Sequence, residues 1–390
     1  LATPVLSRLY SPAAYGAFAS LMAVVMIAST AGSLRLESSV PIASPGEARQ
    51  MLKVSASSSL LAGAICAALV VRVGHPAISS CPWSGSALVI YIVWITSMYS
   101  VLTAYSLRTH QYSAVARRNL LQALGTAGGQ FVVARWLRSA MGLTAGLAVG
   151  RTLGVASLVR ESGLLAKRGA PDDSTITGTL NRYRQFPLVF MPSALLNVLG
   201  SQLPILFVAR AYGAESAGNL AQAVTLGAIP AALLGTAISS VVLAELAARV
   251  RAGELDQRQR YLRVSRALAP LGLAWILGLA LIAPGLLPWV LGSNWESAGQ
   301  FAAALGIAAG SGLVVSPLTV VFFLYERSVL NLVLDVLRVV LVGASGFYAY
   351  AMGHGPVASV FAMSVAMGVV YATTWLAGLR VASGRIGSIA

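Results

Sequence analysis

The chain has 390 residues, 57% hydrophobic and only 10% charged, with a mean hydropathy of +0.77 and a net charge of +15. A soluble domain carries roughly a quarter charged residues, so this composition excludes one and points to an integral membrane protein of the helical kind. The positive charge falls between apolar runs, not in a patch interleaved with aromatics, which argues against a nucleic-acid partner and reads as a topology signal.

Taken in chain order, apolar runs near the length of a bilayer-crossing helix occur at 13–33, 54–73, 85–107, 119–137, 141–159, 186–208, 217–247, 267–290, 301–324, 331–351 and 356–378. Residues 1–9 are too short to cross and read as the tail of a first span. The expectation is therefore twelve spans, eleven of them complete here. Loops 34–53, 108–118, 160–185, 248–266, 325–330 and 379–390 hold twenty of the 27 Lys and Arg; the alternate loops with their span ends hold five. The excess places the first set, and the C-terminus, in the cytoplasm. The remaining two, Arg151 and Arg338, lie inside spans.

Two cysteines, Cys66 and Cys81, and three histidines near span ends, His75, His110 and His354, offer no CxxC, HExxH or zinc spacing. No metal, cofactor or catalytic residue is expected. The outer loops are short, with Glu215 and Glu296 as their only acids, and both belong to E-S-A-G turns that open spans. This pattern does not favour an enzyme.

The segment SRLYSPAAYGAFA (7–19) returns as ARAYGAESAGNLA (209–221): Arg8, Tyr10, Gly16 and Ala19 match Arg210, Tyr212, Gly218 and Ala221 at a constant offset. Between the copies lies the polar stretch 160–185. The reading is an N-terminal lobe over 1–159, a cytoplasmic linker over 160–185 and a C-terminal lobe over 186–390. The fold class is all-α and polytopic, with two six-span lobes as parallel repeats around a central cavity.

Polar groups inside spans are expensive and mark the places to look for function. Arg151, in GLAVGRTLGVAS, has no acid within one turn. It either snorkels or pairs with an acid on another helix, or it contacts an anionic substrate. Asp335 and Arg338, in NLVLDVLRVVL, are helical neighbours, with Asn331 and Ser345 on the same stripe. They form either a neutral staple or a site that opens when protons, ions or phosphate compete. Arg35 and Glu37, in SLRLESSVPIA, end a span as an interfacial pair, and Glu245 falls near an interface. The stretch RQFPLVFMPSALLNVLGSQLPILFVARAYG (184–213) combines Pro187, Pro192 and Pro204 with Asn197 and Gln202. Ser193, Asn197, Gly200, Ser201 and Pro204 share one small, polar, kinkable face suited to lining a cavity, and Gln202 points elsewhere.

These pieces, LSRLYSPAAYGAFA, LRLESSVPIA, the FP–P–LLN–QLP run before YGAESAG, and LGSNWESAGQFAAALG, occur in this order along essentially the whole chain. Together they resemble the bacterial polysaccharide-biosynthesis transporters, the lipid-linked oligosaccharide flippases of the multidrug/oligosaccharidyl-lipid/polysaccharide exporter superfamily. The resemblance implies a multi-pass protein of the cytoplasmic (inner) membrane. Such a protein turns a polyprenyl-diphosphate-linked oligosaccharide to the outer leaflet for O-antigen, capsule or exopolysaccharide synthesis. Its partners would be that lipid-linked substrate, the bilayer, and the polymerase and export machinery of the same pathway. Arg35, Arg151 and Arg338 would meet the diphosphate and acidic sugars, and Asn197 and Gln202 are further substrate-contact candidates. Glu37 and Asp335 are candidates for an ion or proton relay. The alternatives are a drug or cation exporter of the same superfamily, which wants intramembrane acids, and a membrane-embedded polysaccharide polymerase.

Overall fold

The computed structural model describes residues 3–79, 81–108, 112–162, 175–239, 257–325 and 327–383. Every regular element among them is helical, and nine stretches are long and apolar enough to cross a membrane. One of the nine, Phe186–Ser239, has 54 residues. At 1.5 Å per residue that is ~80 Å, more than twice a hydrocarbon core of about 30 Å. The stretch is two helices meeting at Gly213, whose φ of 86° and ψ of 173° are non-helical and suit a residue without a side chain. This agrees with the separate spans expected at 186–208 and 217–247, as far as Ser239. Glu245 and the middle of the 160–185 stretch lie outside the described residues.

The chain divides into two compact units, Leu1–Gln202 and Leu203–Ala390. The first contains α1 (Thr3–Leu9), α2 (Pro12–Ser33), α3 (Pro45–Arg72), α4 (Pro82–Arg108), α5 (Tyr112–Val133), α6 (Ala140–Ser162), α7 (Ile176–Arg182) and the start of α8 (Met191–Ala223). The second contains the rest of α8 and its continuation, then α9 (Gln257–Leu281), α10 (Ala283–Leu291), α11 (Glu296–Val315), α12 (Val320–Leu324), α13 (Ser328–Ala351) and α14 (Pro356–Ala382).

Local chemistry sets the helix starts. Ser11 caps α2 by accepting from the Ala14 N–H at 3.2 Å, and Pro12 opens the first turn where its missing N–H costs nothing. α3 opens with a capping box: the Glu47 N–H donates to Ser44 Oγ at 3.2 Å, and the Ser44 N–H donates to Glu47 Oε2 at 2.7 Å. The same carboxylate accepts from Arg182 at 2.8 Å and from the Tyr183 hydroxyl at 3.1 Å, tying α3 to the end of α7. Burial, and then the hydrogen bond to Glu47, hold the Tyr183 phenol above its usual pKa.

One expected span is broken, and another runs on through a 3-10 turn. The run 267–290 is α9 followed by α10, with a turn at Ile282. Pro284 lacks the N–H that would continue the ladder, and its ring cannot pass the carbonyl one turn back. The run 301–324 is α11, a 3-10 turn at Ser316–Thr319 containing Pro317, and α12. The helix expected at 119–137 is displaced: α5 starts at Tyr112 and stops at Val133.

α5 and α6 pack through facing glycines. A Cβ on Gly129 would lie 3.0 Å from the Gly146 carbonyl oxygen, and one on Gly125 would lie 3.0 Å from Gly150 Cα. Only glycine lets two backbones approach this closely in a membrane, where packing rather than water drives association. The internal repeat also has a structural counterpart. Tyr10 donates to the Gln130 carbonyl near the end of α5 at 2.8 Å, and Tyr212 donates to the His354 carbonyl just past α13 at 2.8 Å. In each unit the matched tyrosine closes its hairpin onto the end of the corresponding helix.

Candidate functional site

Arg151 sits on α6, half-buried, and donates a hydrogen bond to Thr96 Oγ1 on α4. Thr96 can accept because its own hydroxyl proton is committed to the Ile92 carbonyl at 2.5 Å. Among the described residues no ion pair holds this guanidinium, so the pairing of Arg151 with an acid on another helix is not realised there.

A second arginine reaches the same stripe of α4. Arg118, in the second turn of α5, is only 3% exposed. It donates to Thr103 Oγ1, which spends its own proton on the Tyr99 carbonyl at 2.5 Å, and to Asn119 Oδ1. Its guanidinium carbon lies 3.9 Å from the centre of the Tyr99 ring, a cation–π contact. Its Nε is buried without a hydrogen-bond partner, as are Gln122 Oε1 and Thr126 Oγ1 one and two turns further along α5. Thr96, Tyr99 and Thr103 recur at intervals of three and four, so they form one face of α4. The result is two arginines gathered on one polar stripe with no described carboxylate between them. A neighbouring contact, the Tyr91 hydroxyl to Thr152 Oγ1 at 2.6 Å, pins α4 to α6.

Sequence reasoning missed Arg118 because the apolar run begins at residue 119, which made it a loop charge. The signal was available in the amphipathic register: Arg118, Gln122 and Thr126 repeat every four residues.

The other expected residues fall into separate places. Arg35 pairs with Glu37 at 3.2 Å. Leu34 and Arg35 both adopt left-handed backbone, with φ of 52° and 56°, which is costly for residues with side chains. Glu37 Oε2 is buried without a hydrogen-bond partner. Asn197 is exposed on α8, and half-buried Gln202 donates weakly to Ser201 Oγ at 3.4 Å. The stretch around them keeps its helix despite three prolines. A π-helical turn at Phe186–Phe190, closed by the Met191 N–H on the Phe186 carbonyl, takes up Pro187, and α8 continues through Pro204.

In the second unit Asp335 Oδ1 meets Arg338 at 3.1 Å, and Asp335 Oδ2 accepts from Asn331 at 3.3 Å. Both charged side chains are mostly buried. Ser345 does not join them; its hydroxyl donates to the Val342 carbonyl at 2.9 Å. Among the described residues no group of three metal-ligating side chains occurs.

Comparison with known proteins follows the same lines. Residues 5–300 match the family described as polysaccharide biosynthesis protein. No curated protein matches the sequence. Among solved structures, lipid II flippase MurJ in an inward closed conformation is similar with a TM-score of 0.73 at 12% identity, over 97% of this chain and 85% of that one. An inward-facing multidrug resistance MATE family transporter of the MOP superfamily is similar with a TM-score of 0.64 at 16% identity, over 99% and 95%. A MOP superfamily transporter from Pyrococcus furiosus is similar with a TM-score of 0.54 at 16% identity, over 100% and 92%. At these identities the likeness is one of fold.

Proposed function

The chain belongs to the polysaccharide biosynthesis protein family, and from that premise we propose that it is a flippase for polyprenyl-diphosphate-linked oligosaccharide, carrying the substrate from the cytoplasmic to the outer leaflet of the inner membrane. The observation that carries this reading is the Arg118–Tyr99–Arg151 group. Two guanidiniums on one polar stripe without a carboxylate, Arg151 inside a span and Arg118 buried near the start of α5, are a standing cost that an anionic ligand offsets. A diphosphate fits, because a planar guanidinium makes two parallel, charge-assisted bonds to phosphate oxygens. Thr96 and Thr103 hold the forks in place, and the Tyr99 ring supports one of them from below. In this reading Arg35 and Arg338 are further contacts for diphosphate or acidic sugars, Asn197 and Gln202 contact the glycan, and Glu37 and Asp335 respond to protons or ions.

The drug-exporter alternative needs an intramembrane carboxylate available to a cation. Asp335 is the candidate, and its pairing with Arg338 makes that reading the weaker one.

The test is deletion of the gene in its host, followed by mass spectrometry of lipid-linked oligosaccharides and their accessibility to a membrane-impermeant probe. Complete repeat units held on the inner leaflet, with polymer lost, support the flippase. Unchanged pools with altered drug tolerance transfer the assignment to an exporter. Units accumulating on the outer leaflet transfer it to a polymerase.

A further inference from the structure

The second unit contains a groove of about 650 Å³ between α9, α11 and α14. This volume lies in the range of small-ligand sites. Its floor is low because the walls approach through glycine. A Cβ on Gly272 would lie 2.4 Å from a Val314 methyl and 2.8 Å from the Gly310 carbonyl oxygen, so neither side chain nor backbone could yield enough. Most polar atoms of the wall are already bonded, Ser311 Oγ to the Ile307 carbonyl at 2.5 Å among them. Trp375 Nε1 donates to Ser265 Oγ at 2.9 Å, and Ser265 Oγ donates to the Tyr261 carbonyl at 2.7 Å. What remains facing the groove is almost all carbon, including exposed Ala269, Leu273 and Ala372, with the Tyr371 side chain and one charged side chain, Arg266, at the end nearest the start of α9. No described ion pair holds Arg266.

An apolar trough ending in an arginine has the charge and polarity order of a lipid: tail, then anion. We propose that this groove is a seat for an anionic phospholipid of the bilayer, one acyl chain lying along α9 and α14 and the headgroup phosphate on Arg266. Uncharged or zwitterionic lipid lacks the net negative charge that basic residues at a membrane interface attract. The site lies wholly in the second unit and involves none of the residues assigned to the transported substrate, so it goes beyond the flippase reading.

Native mass spectrometry of the purified full chain in detergent tests this, with phosphatidylglycerol and phosphatidylcholine as probes. One phosphatidylglycerol should bind at least about fivefold more tightly than phosphatidylcholine. Arg266→Gln should abolish the preference, and Ala372→Phe, which fills the exposed groove wall without touching the packed interface, should weaken binding of both lipids at least about tenfold. Arg263→Gln, on the same helix but outside the groove lining, should change neither by more than about twofold. Each variant is first checked for unchanged elution and thermal unfolding. Equal binding of the two lipids, or binding indifferent to both groove variants, would overturn the proposal. Displacement of phosphatidylglycerol by equimolar polyprenyl phosphate would overturn it too, by giving the groove to the tail of a transported lipid. None of these results alters the outcome of the gene-deletion test.

Discussion

Replacing Arg151 by methionine separates a functional arginine from a structural one. Arginine at the centre of a membrane helix costs about 2.5–3.5 kcal/mol on insertion scales, and methionine removes that cost. Against this stands one charge-assisted hydrogen bond, to Thr96, worth about 1.5–3 kcal/mol. The balance runs from about zero to 2 kcal/mol in favour of the variant. Arg118→Met forfeits more, because Thr103, Asn119 and the Tyr99 ring all hold that side chain. A second charge-assisted hydrogen bond, about 1.5–3 kcal/mol, and the cation–π contact, about 0.5–2 kcal/mol, add to its loss, while a position in the second turn of α5 carries less than the helix-centre cost, so that variant should be less stable than the wild type. The assay pairs thermal unfolding in detergent with restoration of polymer in the deletion strain. Arg151→Met should unfold at or above the wild-type temperature and Arg118→Met below it, and both should lose at least about tenfold in polymer. If Arg151→Met unfolded several degrees lower, the arginine would be a packing element and the anion-binding argument would fail. Wild-type polymer from a stable Arg151→Met protein would remove it equally.

Gly150→Ala should destabilise by about 1–3 kcal/mol, because the new Cβ would lie 2.0 Å from Thr126 Oγ1 and 2.4 Å from the Thr126 nitrogen. Gly128→Ala on the same pair of helices meets nothing within 4 Å and should stabilise slightly, so thermal shifts of the same sign would refute the close seam. His75, between α3 and α4, accepts from the Ala77 N–H through Nδ1, which leaves Nε2–H to donate to Ser20 Oγ at 3.1 Å; burial lowers its pKa and keeps it neutral. The unfolded chain therefore binds the proton more readily, so stability should fall as the pH drops through about 6.5. Thermal unfolding between pH 7.5 and 5 should show this fall in the wild type and a smaller one in His75→Gln; parallel curves would dismiss the histidine. Asp335→Asn removes the carboxylate that neutralises Arg338 and should lower stability more than the double variant with Arg338→Gln does. If Asp335→Asn transports normally with unchanged sensitivity to uncouplers, Asp335 is a staple and not a relay.

The helices were legible to the extent that composition controls them. Apolar runs located α2, α4, α6, α13 and α14 to within a few residues, because in a bilayer every backbone group must be bonded within its own segment. The breaks were less legible. Hydropathy is blind to Pro284, which interrupts an apolar run without making it polar, so 267–290 reads as a single span, whereas 301–324 does run as one, with a 3-10 turn at Pro317 inside it. Conversely, Pro187 and Pro204 read as breakers, yet the chain absorbs the first in a π-turn and carries the second inside α8. Whether a proline ends a helix depends on what its neighbours can bond to, which no local pattern states.

The same reasoning explains why half of the candidate site was found. Arg151 stands alone in an apolar run, so its cost is visible from the sequence. Arg118 stands at the edge of one, next to Arg117, and the two look interchangeable. The structure separates them. Arg117 is exposed and pairs with Glu161 at the end of α6, whereas Arg118, a step of about 100° round the helix, is buried against Tyr99 and Thr103. A charge at a span boundary is therefore a topology signal or a site residue according to which face of the helix it occupies. That face is set by where the helix begins, and α5 begins seven residues before its apolar run. An arginine counted toward orientation is accordingly worth testing for function wherever a polar residue follows it at the fourth and eighth positions, as Gln122 and Thr126 follow Arg118.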